Sequence, residues 1–223
     1  MKYQLYNEEC LESMSYLPTK SVDMVLCDLP YGTTACKWDS VIPFEPLWAG
    51  YKRICKGAIV LTASQPFTSA LISSNLGGFK YCWVWEKSRP SNGILAKIMP
   101  LKYHEDIAVF YTKKTTYNPI MWLGNKSHRT KSGHMINNLR GTCESAGPNV
   151  SDKKYPRSIV SVKSTDSTAN LHPTQKPVAL MEYLIRTYTN PGDTVMDNTM
   201  GSGTTGVACA NTGRKFIGIE KDP

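Results

Sequence analysis

The sequence predicts an α/β fold, a mostly parallel sheet whose strands are joined by crossover helices. Three observations predict it. Short apolar runs of strand length alternate with segments whose apolar residues recur every three or four positions. Two turns, Asp28-Leu29-Pro30-Tyr31 and Gly201-Ser202-Gly203-Thr204-Thr205-Gly206, each follow such a run, and so fall at a strand's carboxyl end, where open α/β sheets bind ligands. With 223 residues, 41% of them hydrophobic, the chain is long enough for one substantial core and an elaborated insert.

The elements follow in order. Tyr3 to Tyr6 reads as a short strand, and Asn7 as the N-cap of a helix from Glu8 to Leu17 with Leu11, Met14 and Leu17 on one face. Val22 to Cys27 is a continuous apolar-rich strand, broken by Leu29-Pro30-Tyr31-Gly32. Phe44 to Ile54 reads as a helix ended by Lys56-Gly57, and Ala58 to Ala63 as a buried strand. A helix around Pro66 to Ser74 and the turn Gly77-Gly78 precede the strand Tyr81 to Glu86; a loop rich in Pro, Gly and Lys leads to the strand Asp106 to Thr112. The alternation stops between Lys113 and Leu171. A structureless loop of that length is uncommon inside a compact domain, so this polar stretch is either disordered or a small insert with a task of its own. Alternation resumes with a helix from Pro177 to Tyr188, proline standing in the first turn, where its missing N–H does least harm. Strand Thr194 to Thr199, the glycine turn, a helix to about Asn211 and strand Lys215 to Glu220 complete a sheet of seven strands.

Composition narrows the function. Net charge is +8, and all of it comes from Lys113 to Lys163, where Lys113, Lys114, Lys126, Arg129, Lys131, Arg140, Lys153, Lys154, Arg157 and Lys163 face only Glu144 and Asp152. Such asymmetry suits a polyanion such as nucleic acid, although basic surface loops are common and charge alone does not decide it. The longest apolar stretches, such as Ala58 to Ala63, fall far short of the ~20 residues of a membrane span, and the N-terminus lacks a signal-peptide pattern. No membrane partner and a cytoplasmic location are expected. Seven cysteines without a C-x-x-C pair and four dispersed histidines suggest no metal site and no disulfide framework.

The two turns carry the chemistry. Gly201, Gly203 and Gly206 satisfy G-x-G-x-x-G between a strand and a helix, and Glu220 ends the next strand, where an acid can bind ribose hydroxyls. Taken alone, this fits a nicotinamide dinucleotide and S-adenosylmethionine equally, because both present an adenosine ribose. The turn at Asp28 discriminates. An exocyclic amine on adenine or cytosine is a poor nucleophile because its lone pair is delocalised into the ring, and acceptors aimed at its two N–H groups favour the tetrahedral nitrogen that can attack. The Asp28 carboxylate and the Leu29 carbonyl can be those acceptors, Pro30 stiffens the turn, and Tyr31 offers a face on which an extruded base can stack. Direct attack on a sulfonium methyl then needs chiefly in-line placement.

These motifs resemble the S-adenosylmethionine-dependent DNA amino-methyltransferases, specifically the permuted (beta) group in which the catalytic motif comes first, the recognition insert second and the cofactor loop last. Val22 to Asp39 resembles the catalytic motif with its following loop, while Trp83 to Lys87 and His104 to Thr112 resemble the later catalytic-half strands. His172-Pro173-Thr174-Gln175-Lys176-Pro177 resembles the H-P-T-x-K-P segment beside the methionine part of the cofactor, Val195 to Gly206 the F-x-G-x-G loop, and Gly218-Ile219-Glu220 the ribose-binding acid. The resemblance implies a doubly wound, Rossmann-like methyltransferase fold, circularly permuted, with residues 1–112 as its catalytic half, 113–165 as a target-recognition insert and 166–223 as its cofactor half. The first strand then neighbours the last, and a further helix is expected after Glu220, its absence suggesting a trimmed chain.

The same resemblance implies that Asp28, Leu29, Pro30 and Tyr31 are catalytic. It implies that Asn7, Asp28, Thr174, Lys176, Pro177, Asp197, Thr199, Gly201, Ser202, Gly203, Thr204, Thr205 and Glu220 bind S-adenosyl-L-methionine. Three departures from the pattern stand out: Leu29 in place of the commoner first proline, Asn198 and Thr199 in place of proline and phenylalanine, and Asn7 where an aspartate often caps the strand.

Within this resemblance an aspartate at the first motif position goes mostly with N6 of adenine, and N4 of cytosine is the alternative. Carbon-5 methylation would need a thiol nucleophile, typically after proline, and the sequence has no Pro-Cys pair. The expected partner is double-stranded DNA, held by Lys126, Arg129 and Lys131 on phosphates and read by Asn137, Asn138 and Arg140, with a homodimer left open. The source implied is a bacterium, or a phage within one, and the setting restriction-modification. The rivals are a nicotinamide-dependent dehydrogenase, which leaves Asp28 to Tyr31 unexplained, an inactive DNA-binding homologue, and a methyltransferase acting on RNA or protein amides.

Overall fold

The structure, a computed structural model, describes residues 3–34, 36, 39–125, 135–137, 141–143, 152–163 and 175–222. Its elements are β1 (Tyr3–Asn7), α1 (Cys10–Tyr16), β2 (Val22–Asp28), α2 (Phe44–Ile54), β3 (Cys55–Ala63), α3 (Phe67–Ser73), β4 (Phe79–Glu86), β5 (His104–Phe110), β6 (Trp122–Leu123), β7 (Met135–Asn137), β8 (Gly141–Cys143), β9 (Lys153–Lys154), β10 (Ile159–Ser161), α4 (Val178–Tyr188), β11 (Thr194–Asp197), α5 (Thr204–Thr212) and β12 (Lys215–Glu220). They form two units. One runs to Asn118 and resumes at Ser158; the other is Pro119–Arg157.

In the first unit the sheet order is β1-β12-β11-β2-β3-β5-β4-β10. β5 is antiparallel to β3 and β4, and every other pair is parallel. Strands covered on both faces read as continuous apolar runs, and the side-chain period of two sends alternate residues to opposite sides. Val25, Cys27, Ile59 and Leu61 pack with Met14, Leu47, Tyr51 and Phe67 from α1, α2 and α3. Met24, Leu26, Ala58 and Val60 face the other way, onto Leu180, Leu184 and Ala208 from α4 and α5.

This arrangement makes a topological switch. From β2 the chain crosses through α2 to β3, while from the adjacent β11 it crosses through α5, on the opposite face, to β12 in the opposite direction. The crevice beyond the carboxyl ends of β2 and β11 is therefore where a ligand belongs.

The sheet has eight strands rather than the seven expected. Ile159–Ser161 pairs with Val84, Trp85 and Glu86 and covers the β4 edge, where Val160 is buried. Asn7 does not cap α1. Glu9 does, accepting from the N–H groups of Leu11 and Glu12 at 2.7 and 3.0 Å, so the helix starts later than expected. Asn7 instead donates to the Glu220 and Lys221 carbonyls at 3.1 and 3.0 Å, joining the ends of β1 and β12, which pair along their length. Lys56-Gly57 does not terminate α2, because the chain passes from Ile54 straight into β3. Gly57 serves a close approach: a Cβ there would stand 2.0 Å from the Asp23 carbonyl oxygen.

In the second unit β6 pairs with β9 and β7 with β8, both antiparallel. The Arg157 guanidinium lies 4.6 Å from the centre of the Trp122 ring, whose N–H donates to the Tyr155 carbonyl at 2.9 Å. Among the described residues no helix is long and apolar enough to cross a membrane, and no group of His, Cys, Asp and Glu is placed to hold a metal ion.

Candidate active site

Strand pairing brings the two turns together. Val195 lies opposite Met24 and Met196 opposite Val25, so the segments after β2 and β11 leave the sheet side by side. Thr199 Oγ1 closes the junction by donating to the Asp28 carbonyl at 3.1 Å, across 171 residues of sequence.

Asp28 is the hub. Its Oδ1 accepts from the Tyr31 hydroxyl at 2.7 Å and from the Thr62 hydroxyl; its Oδ2 receives the Lys176 ammonium at 2.5 Å. Three donors on about four lone-pair sites leave one direction for a further N–H. Lys176 is buried, and Glu105 Oε2 stands 3.3 Å from its Nζ, an ion-pair distance without hydrogen-bond alignment. Glu105 Oε1 accepts from the buried Lys87 at 2.9 Å, so two lysines and two carboxylates form one chain of alternating charge. Burial works against the charge of Lys176, but the Asp28 and Glu105 carboxylates outweigh it and hold its pKa above the ordinary lysine value. Burial pushes the Tyr31 phenol well up, with the two carboxylates adding to it, so its hydroxyl is a donor to Asp28 rather than a phenolate.

The Tyr31 ring stacks on Phe67, centroids 5.1 Å apart, and Lys176 Nζ lies 5.8 Å from its centre. A base stacking on Tyr31 would use the ring's other face. The Leu29 side chain is buried in the core, which leaves its backbone as the part available to a ligand. The loop that follows is tied by Asp39, whose carboxylate accepts from the N–H groups of Gly32, Thr33 and Thr34 at 2.9, 2.9 and 2.7 Å. Those hydrogen bonds overcome the cost of burial and lower the Asp39 pKa.

On the other side, Gly201 and Gly203 take left-handed φ values of 49° and 77°, and a Cβ on either would meet nothing within 4 Å. The turn is therefore bent by glycine and open above. Gly206 has a different role, since a Cβ there would stand 2.9 Å from the Phe216 ring. The Glu220 carboxylate accepts from Gly201 N at 2.7 Å and from Lys221 and Asp222 N at 3.0 and 3.2 Å, fixing an acid beside the glycine turn. Ser202 and Thr204 hydroxyls lie 3.4 Å apart at the turn, and Pro177 caps α4.

Asp197 is buried, with its oxygens committed to Thr205 Oγ1 at 2.6 Å and Thr199 N at 3.1 Å; burial raises its pKa to about 7. It braces the turn from beneath. Asn198, the departure from proline, is equally buried, and its Oδ1 accepts from the Tyr51 hydroxyl at 2.5 Å and the Cys27 thiol at 2.8 Å. Two core donors, from β2 and α2, satisfy its oxygen, while its buried amide nitrogen finds no hydrogen-bond partner among the described residues.

Of the expected cofactor set, Asn7, Asp28, Lys176, Pro177, Asp197, Thr199, Gly201, Ser202, Gly203, Thr204, Thr205 and Glu220 lie in the first unit along the carboxyl ends of β1, β2, β11 and β12 or at the start of α4 and α5. Thr174 falls outside the described residues, as do Lys126, Arg129, Lys131, Asn138 and Arg140; Asn137 ends β7 in the second unit. Sequence reasoning missed Thr62, Glu105, Lys87, Phe67 and Asp39. The first four sit at strand or helix ends distant in sequence from Asp28. Asp39 carried one local signal, a short acid a few residues after a glycine turn.

Comparison with known proteins agrees with this geometry. A family model described as DNA methylase, for N6 and N4 methyltransferases, matches residues 22–223. The chain is 31% identical over 232 residues to the DNA adenine methyltransferase YhdJ of Escherichia coli strain K12, covering 95% of this chain and 76% of that protein. It is 26% identical over 243 residues to the Type II methyltransferase M1.MboII of Moraxella bovis, covering 97% and 91%. Among solved structures, the M1.HpyAVI–SAM complex matches with a TM-score of 0.64 at 26% identity, over 99% of this chain and 94% of that one. The cytosine-N4-specific PvuII DNA methyltransferase matches with a TM-score of 0.66 at 16% identity, over 100% and 83%, a likeness of fold alone.

Proposed function

Because the chain belongs to the DNA methylase family of N6 and N4 methyltransferases, we propose that it transfers a methyl group from S-adenosylmethionine to the exocyclic N6 of adenine in DNA, on a base extruded from the duplex. The observation that carries this reading is the Asp28 hub: a carboxylate paired with the buried Lys176, with an acceptor direction left over, joined through its own carbonyl to Thr199 just before the glycine turn. Adenine is favoured over cytosine by the aspartate at the first motif position and by the likeness to YhdJ, which is named an adenine methyltransferase. We also read the motif order, catalytic turn before glycine turn, as the permuted one.

The residues fit the cofactor. An open glycine turn, two left-handed glycines and a carboxylate anchored beside Gly201 suit an adenosine ribose, with Glu220 on the hydroxyls and Gly201 to Thr205 around the remainder. S-adenosylmethionine supplies an electrophilic methyl when bound. The chain's own part is orientation and proton acceptance. Asp28 and the Leu29 carbonyl take the two N–H groups of the amine and free its lone pair; Tyr31 stacks the base; Lys176 holds the Asp28 carboxylate in place, and that carboxylate takes the proton the nitrogen releases. Pro119–Arg157, with Asn137, Asn138 and Arg140 as readers and Lys126, Arg129 and Lys131 on phosphates, is the target-recognition unit in this reading. The setting is a bacterial cytoplasm and a restriction-modification system.

The test incubates the protein with unmethylated duplex DNA and methyl-labelled S-adenosylmethionine, then digests the DNA to nucleosides. Label is expected in N6-methyladenine nucleoside. Label in the N4-methylcytosine nucleoside would overturn the base; label in RNA and not in DNA would overturn the substrate.

A further inference from the structure

Between β4 and β5, residues 87–103 leave and rejoin the sheet at the same edge as the Asp28 turn. Glu86 pairs with His104, and Ala63, at the carboxyl end of β3, pairs with Asp106. In the order β2-β3-β5-β4, the foot of this segment stands two to three strand spacings from Asp28, roughly 10–15 Å. Glu105, at that foot, touches Lys176, which touches Asp28.

The segment is a built turn. Leu95 N donates to Asn92 O at 2.9 Å, and Ile98 N and Met99 N donate to Leu95 O at 2.9 and 3.0 Å. The Asn92 side chain closes it, donating to the Pro100 carbonyl at 3.0 Å and accepting from Lys102 N at 2.6 Å. Lys102 reaches back to the Ser64 hydroxyl just after β3. On the outside of this turn stand Ile94, 96% exposed, Ile98, 77%, and Met99, 47%. Large apolar groups presented together by an ordered turn mark an interaction surface. The segment is basic in sequence, with Arg89, Lys97 and Lys102 and no Asp or Glu from Lys87 to His104, and Lys97 lies on the turn itself. The complementary partner is anionic outside and apolar within, which describes stacked bases between phosphates. A second copy of a chain of net charge +8 would meet like charge here.

We propose that residues 93–99 are a DNA-docking wedge, with Ile94 and Ile98 entering the base stack beside the extruded adenine and Lys97 on a flanking phosphate. Apolar side chains that part base steps are an established way to lower the cost of unstacking, and the wedge stands where a base drawn toward Asp28 would leave a gap. The inference rests on the DNA methyltransferase reading above.

The test first maps the methylated adenine by label transfer into plasmid DNA. A duplex carrying 2-aminopurine at that position then reports extrusion by its fluorescence. Both isoleucines are exposed, so Ile94→Asp/Ile98→Asp should leave the core intact. It should lower kcat/KM for duplex DNA at least about tenfold and abolish the fluorescence rise, while S-adenosylmethionine affinity and sedimentation mass stay unchanged. Ile94→Ala/Ile98→Ala should fall between it and the parent. Parental kcat/KM and fluorescence rise in the Asp variant would overturn the wedge and leave the methyltransferase reading standing. A halved mass with parental DNA kinetics would overturn it in favour of a second copy. Failure of the parent protein to label any DNA would overturn the underlying reading, and the wedge with it.

Discussion

Asp28 matters through what holds it. In the proposed mechanism Asp28 accepts the proton released by the methylated nitrogen, and the buried Lys176 pairs with its carboxylate at 2.5 Å, a charge-assisted hydrogen bond that fixes its orientation. Asp28→Ala should lower methyl transfer by more than about 10²-fold while S-adenosylmethionine affinity changes little, checked by label transfer and calorimetry. Glu105 is a positioning residue, helping to keep Lys176 charged above the ordinary lysine range. In Glu105→Gln one of the two stabilising charges is gone, so the alkaline limb of the kcat–pH profile should move to lower pH; a profile identical to the parent's would remove Glu105 from that role. Asp197 shows the opposite linkage. Its folded pKa is raised to about 7 by burial, so the folded chain keeps a proton that the unfolded chain releases near pH 4, and stability falls as pH rises from about 4 to about 7. Urea midpoints at pH 5 and pH 8 should differ less in Asp197→Asn than in the parent.

At the scale of an element, the loop after the catalytic turn is organised by one side chain. Asp39 satisfies three successive backbone N–H groups and so converts residues 32–34 from a floppy connection into a fixed wall beside Tyr31. Asp39→Ala should raise amide exchange across those residues by about tenfold or more and lower kcat several-fold, with the melting temperature little changed, because the loop is local. Its pKa is lowered, so protection persists below the ordinary carboxylate pKa and disappears only on further acidification.

Across the whole molecule, charge is distributed unevenly, and the segment Lys113 to Lys163 carries the net +8. Neutralising phosphates releases counterions, so the logarithm of duplex affinity should fall linearly with the logarithm of salt, by about 0.9 for each phosphate contacted. If that segment meets about six phosphates, affinity should fall about 10³-fold between 50 and 200 mM salt, measured by anisotropy of a labelled duplex. A flat response would remove the basic segment from DNA binding.

Much of this was written in the chain. Periodicity located α2 and β12 residue for residue, the apolar runs located the central strands, and Asp28 to Tyr31 with Gly201 to Gly206 named the chemistry, because turn geometry and strand burial depend on neighbours a few residues away. The errors share one cause. The β10 edge strand was hidden because three residues have too little pattern to announce a strand, and its pairing with β4 is a long-range event. Glu9 displaced Asn7 as a cap because Asn7 found carbonyls at the far end of the chain. Thr62, Glu105 and Lys87 joined the site by sheet register, which no local spacing encodes. The sequence by itself determined which groups could do the chemistry. Only the tertiary structure decided that a lysine from one end and an aspartate from the other would pair in one hub, because that depends on α4 packing its Leu180 and Leu184 against Met24 and Leu26 of β2, which brings Lys176, just before α4, onto Asp28 at the strand's end.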